Sequence, residues 1–433
     1  MNNLNDKYYL VHNQKDLFYL FELEPTGNLI YKTFDKNANL IDKYTVSSNN
    51  VINFNLTLDS SNRINLIYLL KSGELFLTIN DGLSWSESLI GSLDTKSNKY
   101  HQFELLYINN KINIIYSFSN YINSEIISIH HLILDNKIQD QNNVIKYILR
   151  KGYNEFSVGF DEMGTIHLLY NTTTNFESYI YHSFYSPYKG SWSTNPKELS
   201  TRGKTNSNPY LFIDSKSNVH TAWLEMENSR YRLKYAKMPV NGKNKYIWQD
   251  INISIPIKNK FTPIIYEFDG VLKMLCYDND SIKNINSNDF GVKWSNVNSK
   301  DISNAGKFIG FAKSKNIHPE INAENVLIKN SIINELNDLY LDSCLSNETH
   351  KENIVMTTST NLNSDGKFQD VEENLEVEPS DQSSIQIQME VDEIKSLLNQ
   401  VLKNQESIIN EINYIKNIKV EKPSLLYKLF KSN

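Results

Sequence analysis

The sequence predicts an all-β fold, a β-propeller of about six blades, followed by a C-terminal α-helical coiled coil. Three observations predict it: a strand–turn–strand unit recurring through the first 300 residues, one turn motif found twice at the same place in that unit, and an unbroken heptad register near the end.

The unit is an apolar alternating strand, a short polar turn often carrying Asp, and a second strand ending in an aromatic residue. The second strands read Leu17–Phe21, Ile64–Tyr68, Ile112–Tyr116, Ile166–Tyr170, Val219–Trp223 and Leu272–Tyr277. Their aromatic ends fall at 21, 68, 116, 170, 223 and 277, intervals of 47, 48, 54, 53 and 54 residues. Roughly 40 to 50 residues suits one four-stranded blade. The turns Asp59-Ser60-Ser61-Asn62, Asn109-Asn110, Asp161-Glu162-Met163-Gly164, Asp214 to Asn218 and Asp269-Gly270 hold residues that reverse a chain tightly. Gly and Asn tolerate positive φ, and Asp or Ser accepts a hydrogen bond from the backbone two residues on. A third strand follows, as in Gly73–Thr78 and Tyr231–Ala236, with no helical period between strands, which argues against a parallel α/β fold.

Composition agrees. Of 433 residues, 40% are hydrophobic, 12% aromatic and 22% charged, enough to bury a core. The 26 Tyr and 19 Phe favour pleated, half-buried surfaces. A net charge of -6, with no Lys/Arg run in the first 300 residues, excludes nucleic acid as a partner. The two cysteines, Cys276 and Cys344, form neither a disulfide framework nor a metal spacing. The N-terminus lacks the regions of a signal peptide and no 18-residue apolar run is present, so the expected location is cytoplasmic, with association to a cell or spore surface layer left open. The sequons at Asn55 and Asn171 are therefore read as chance.

The turn motif is Thr78-Ile79-Asn80-Asp81-Gly82-Leu83-Ser84-Trp85, and again Ser287-Asn288-Asp289-Phe290-Gly291-Val292-Lys293-Trp294. Shorter echoes, Ser191-Trp192-Ser193 and Tyr246-Ile247-Trp248, close two other repeats. Both full copies resemble the Asp box (BNR repeat) of sialidase-like propellers, the first with Asn80 where that family prefers Asp. Physically, Gly82 and Gly291 permit the turn between third and fourth strands. Asn80 or Asp289, with the Thr78 or Ser287 hydroxyl, holds turn amides, and Trp85 or Trp294 buries a ring beside the blade. The role expected of these eight residues is structural.

The resemblance implies a sialidase-like fold without sialidase chemistry. Those enzymes set three arginines on a carboxylate, with an Arg-Ile-Pro signature near the start of the domain. That signature is absent here, and Arg63, Arg150, Arg202, Arg230 and Arg232 fall in turns, between repeats or on one hairpin. His130, His131, His167 and His220 show no metal-ligand spacing, and Asp278-Asn279-Asp280 lacks the Gly and distal Glu of a calcium loop. No cofactor and no metal is expected. Glu225 or Asp278 facing a central channel would be the start of a two-carboxylate glycosidase site.

Beyond 303 the expectations are a capping segment and helix over 304–345, containing strand-like pieces Lys307–Phe311 and Val326–Ile328, then an acidic disordered linker over 346–384. Over 385–418 the heptad positions are Val391, Ile394, Leu398, Val401, Gln405, Ile408, Ile412 and Ile415, preceded by Ile387. β-Branched residues at d favour a homotrimer or homotetramer over a parallel dimer, and Gln405 sets the register. An amphipathic helix docking on the propeller is the alternative. The basic, apolar tail, 419–433, suits a membrane surface or a partner groove. The function expected is a non-catalytic binding or scaffold propeller for a glycan or protein ligand, made multivalent by the coiled coil. The alternative is a divergent, sialidase-like glycoside hydrolase.

Overall fold

The computed structural model describes residues 7–329, apart from 37–38, 83, 136, 150–155, 175–176, 229, 254, 258–260, 279–280, 296–297, 302–305 and 315–318. The acidic linker, the heptad residues Val391 to Ile415 and the basic tail lie outside the described residues.

Alternating apolar residues punctuated by Asp, Asn and Gly turns fold as successive antiparallel meanders. The first comprises β1 (Tyr8–His12), β2 (Phe18–Leu23), β3 (Leu29–Phe34) and β4 (Leu40–Ser47). The second is β5 (Val51–Leu58), β6 (Ile64–Leu70), β7 (Glu74–Asn80) and β8 (Trp85–Ser92). The third is β9 (Asn98–Ile108), β10 (Lys111–Asn120), β11 (Ile126–Asp135) and β12 (Lys137–Ile148). In the fourth, β13 (Phe156–Phe160), β14 (Ile166–Thr174) and β15 (Glu177–Ser186) carry an outer strand reduced to β16 (Ser191–Trp192) and β17 (Lys197–Glu198). The fifth repeats that plan with β18 (Thr205–Ile213), β19 (Val219–Glu227), β20 (Arg230–Met238), β21 (Gln249–Asp250) and β22 (Pro256–Ile257). The sixth is β23 (Ile264–Phe268), β24 (Val271–Asp278), β25 (Ser281–Ser287) and β26 (Asn298–Asp301). A single parallel bridge, Ser178 to Thr205, joins the fourth and fifth into one sheet. Among the described residues no helix occurs. The architecture is an all-β propeller.

Three further strands close the ring. β27 (Gly306–Lys313) pairs in parallel with β1, β29 (Asn325–Lys329) lies antiparallel on β27, and β28 (Ile321–Asn322) pairs with β23. Residues 306–329 thus extend the innermost edges of both the first and the last meander and tie them together.

The turn chemistry is repeated atom for atom. Asn13, Asp59, Asp161 and Asp214 each accept, on Oδ1, the N–H groups two and four residues on, at 2.7–3.0 Å. This frame aligns Phe21 with Ile67, not with Tyr68, so in the first repeat the sequence alignment on terminal aromatics was one residue out. Glu22 holds the equivalent place, because an aromatic pattern alone cannot distinguish neighbouring positions on opposite faces of a strand.

Apolar residues collect between consecutive meanders rather than within each. Phe21, Tyr31 and Leu29 pack on Phe54 and Leu56, Ile67 and Leu77 on Phe103 and Leu105, and Ile115 and Ile129 on Phe156 and Val158. Leu169 and Ile180 pack on Leu211 and Trp223, and Phe212, Leu233 and Tyr235 on Ile265 and Met274. Two polar devices pin these seams. Near the axis, a side chain on one innermost strand bonds the backbone of the next: Asn53 to His101 O (3.1 Å), Asn55 to Phe103 O (2.7 Å), Gln102 to Phe156 O (2.8 Å) and Ser157 with Leu211 N (2.9 Å). Farther out, a Trp from one meander rests on a third-strand ring of the one before. These pairs are Trp85 on Tyr31, Trp192 on His131, Trp248 on His182 and Trp294 on Tyr235, with ring centroids 5.0–5.7 Å apart.

Candidate functional site

The box residues lie at the turns leading into the fourth strands. Asn80 Oδ1 accepts the Gly82 N–H at 2.7 Å, Asp81 Oδ1 accepts that of Ser84 at 2.8 Å, and Thr78 is buried. In the second copy the Ser287 hydroxyl donates to Asp289 Oδ1 and accepts the Gly291 N–H, both at 2.8 Å, and Asp289 also takes the N–H groups of Val292 and Lys293. Gly291, at φ +84°, passes so close to the preceding meander that a Cβ would lie 1.9 Å from the Tyr235 hydroxyl oxygen. Trp85 Nε1–H donates to the Tyr31 hydroxyl at 3.2 Å.

Arg63 and Glu225 do not converge. Arg63 precedes β6 and donates through Nε to Asp59 at 2.7 Å, whereas Glu225 is buried near the opposite end of the equivalent strand, β19, with Lys234 Nζ 4.0 Å away. Arg63 lies in the turn before a second strand and Glu225 on one, whereas the axis is lined by first strands. The Asp278 side chain, with Asn279 and Asp280, lies outside the described residues. Nor do the histidines form a ligand set. His220 bridges Asp214 (2.9 Å) and Tyr235 (2.7 Å), His167 bridges Asp161 (3.4 Å) and His182 (3.1 Å), and His131 lies 3.0 Å from Asn113. Among the described residues, no group of three His, Cys, Asp or Glu side chains is placed to hold a metal ion.

The axis holds a polar cluster that the second-strand reading missed. Lys7 donates to Asn53 Oδ1 at 3.1 Å, and Glu104 on β9 accepts from Asn55 (3.2 Å) and Gln102 (2.7 Å). Tyr210 on β18 donates to Asn325 Oδ1 at 3.1 Å, and Glu324 stands one residue before Asn325 on the closing segment. Tyr210 is buried, and Lys7, Glu104 and Glu324 are half-buried. Desolvation raises the Glu104 carboxyl despite Lys7 and its two amide donors, and raises Glu324 to about 8 with a further push from Glu104. Desolvation also lowers Lys7 to about 8, against the pull of Glu104. The cluster's sequence signal was the polar residue interrupting apolar first strands, Asn55 in Phe54-Asn55-Leu56 and Glu104 in Phe103-Glu104-Leu105.

An aromatic cleft of about 160 Å³ opens between the first and second meanders. Tyr44, exposed on β4, stacks on Tyr31 with centroids 5.0 Å apart, and Tyr31 packs against Trp85. Exposed Glu87, whose carboxylate takes the Tyr68 hydroxyl, stands at its edge.

No protein-family model matches the chain, and no curated protein matches it. Solved structures do. A polysaccharide lyase of family PL25, an ulvan lyase bound to -[GlcA(1-4)Rha3S]-, superposes with a TM-score of 0.50 at 10% identity, over 74% of this chain and 91% of the lyase. The Aleuria aurantia lectin, a fungal six-bladed β-propeller with a fucose recognition mode, reaches a TM-score of 0.38 at 12% identity, over 68% and 96% of the two chains. At such identity the likeness to the lyase speaks to the fold alone. Among the described residues no helix is long and apolar enough to cross a membrane.

Proposed function

We propose that this chain is a non-catalytic glycan-binding propeller whose six meanders act as six blades. The observation that carries the reading is the cleft between the first two meanders. Sugar rings present C–H faces that pack on aromatic rings, and hydroxyls that donate to carboxylates. Tyr44, Tyr31 and Trp85 offer the first partner and Glu87 the second. The site is shallow, so a single engagement is weak, and a C-terminal coiled coil through Val391 to Ile415, forming a trimer or tetramer, would multiply it. In this reading the Asp boxes, whose closest resemblance is to sialidase-like propellers, serve the fold. The lyase neighbour's glycan makes acidic polysaccharides a natural first panel.

Glycan-array binding by the full-length chain tests it. Saturable binding is expected, weakened about tenfold or more in Tyr44→Ala and Glu87→Gln. Binding unchanged in both variants would remove the cleft from the argument.

A second reading, glycoside cleavage, has one observation in its favour: two carboxyls belong to the axial cluster, and Glu104 adds to the desolvation that raises the proton affinity of Glu324, as a general acid requires. Turnover of a fluorogenic glycoside that is lost in Glu324→Gln would establish it in place of the first.

A further inference from the structure

The seam between the second and third meanders lacks its tryptophan. In four other seams an indole from the later meander covers the third-strand residue of the earlier one: Tyr31, His131, His182 or Tyr235. These are equivalent positions, since they pair with Phe21, Ile115, Leu169 and Ala222 on the neighbouring second strands. The corresponding residue of the second meander is Leu77, which pairs with Ile67. The third meander carries no tryptophan, and with β11 ending at Asp135 and β12 beginning at Lys137 it leaves no room for a box.

A cavity of about 130 Å³ occupies that place. Leu77, Ile90 and Leu134 are among its apolar lining, and Asn65, Arg63 and Asp135 among its polar groups. Asn65, which lines the slot, is 2% exposed, and its amide donates to Arg63 O at 3.1 Å. In clamped seams the indole N–H of Trp85 donates to Tyr31, and that of Trp192 to His131 Nδ1 at 3.3 Å. A slot that sets Leu77, Ile90 and Leu134 beside polar groups suits an amphipathic ring, whose body is apolar and whose edge carries one donor.

We propose that this open seam is a docking slot for a tryptophan side chain of a partner polypeptide, which would complete in trans the clamp that the chain builds in cis at four of its other seams. The slot is separate from the aromatic cleft of the first seam, so its occupancy is independent of glycan binding.

The chain supplies its own probe. A blocked synthetic peptide of residues 287–295, carrying Trp294, is titrated into the intact protein and followed by anisotropy of a terminal label. Saturable binding is expected, weakened about tenfold or more when the peptide's tryptophan is replaced by leucine. Leu134→Trp, which fills the slot from the third meander, should abolish it. Equal binding of the two peptides, absence of saturable binding, or binding undiminished in folded Leu134→Trp would each overturn the proposal. If Leu134→Trp does not fold, the paired peptides decide the matter alone. Free indole binding as tightly as the peptide would overturn the polypeptide source.

Discussion

His220 shows how single residues serve the seams. It is fully buried, stacked near Tyr235 and bridged to Asp214, which in turn holds the turn amides. Burial lowers its pKa more than Asp214 raises it, and burial also lowers His182, and His131 to about 4. Asp214 responds in the opposite sense: burial would raise it, but His220 and the amide donors outweigh that and leave it below the ordinary carboxylate range. A histidine with a depressed folded pKa takes up fewer protons than its unfolded counterpart. The stability it lends is complete above about 6.5 and is lost as pH falls towards the folded value. Glu324 shifts stability in the opposite sense over this range in both proteins, so the test is a difference: the melting temperature of His131→Gln relative to the natural protein should rise as pH falls from 7 to 4.5. A difference independent of pH across this interval would contradict the assignment.

At the scale of elements, the seam rather than the sheet is the stabilising unit. Each meander has an apolar face that only its neighbour can cover, and the Trp clamps sit at the outer end of that contact. Removing the Trp294 ring should cost about 3 kcal/mol, as large-to-small changes at packed aromatic sites do. Chemical denaturation of Trp294→Ala against Trp294→Phe measures it, with the Phe variant expected to retain part of the loss. A cost near zero would mean that the clamp is ornamental. Box and echo were legible in the sequence as turns, but their target was not. The rings under them, Tyr31, His131, His182 and Tyr235, lie 54 to 66 residues earlier in the chain, and only the meander-to-meander contact reveals the pairing.

For the whole molecule, closure is the decisive event. The segment 306–329 bonds β1 on one side and β23 on the other, and carries Glu324 beside the axial polar groups. A carboxyl raised from its usual value to about 8 favours the fold in its neutral form. Its contribution is complete below about 4.5 and lost as pH rises through 8. Glu324→Gln keeps the shape without the charge, so its melting temperature should exceed that of the natural protein above pH 8 and converge with it in acid. Multivalency is the other property proposed for the full chain. Ile394→Asp with Ile408→Asp should convert an oligomer to monomers in sedimentation velocity, and an unchanged sedimentation coefficient would sink the coiled-coil reading.

By itself the sequence determined what depends on short-range chemistry. Strand alternation, the Asp and Asn turns at 59, 109, 161, 214 and 269, and the boxes at 78–85 and 287–294 follow from local backbone preference and side-chain period, and they were enough to reach a propeller. Only the tertiary structure decided which polar residues meet. Lys7, Glu104, Tyr210 and Glu324 come from four separate segments, each looking like a lone polar interruption of a strand, and they share one environment because ring closure points the first strands at a common axis. The vacant seam is likewise invisible in any one repeat. It is a difference between neighbours, and neighbours exist only once the ring has formed.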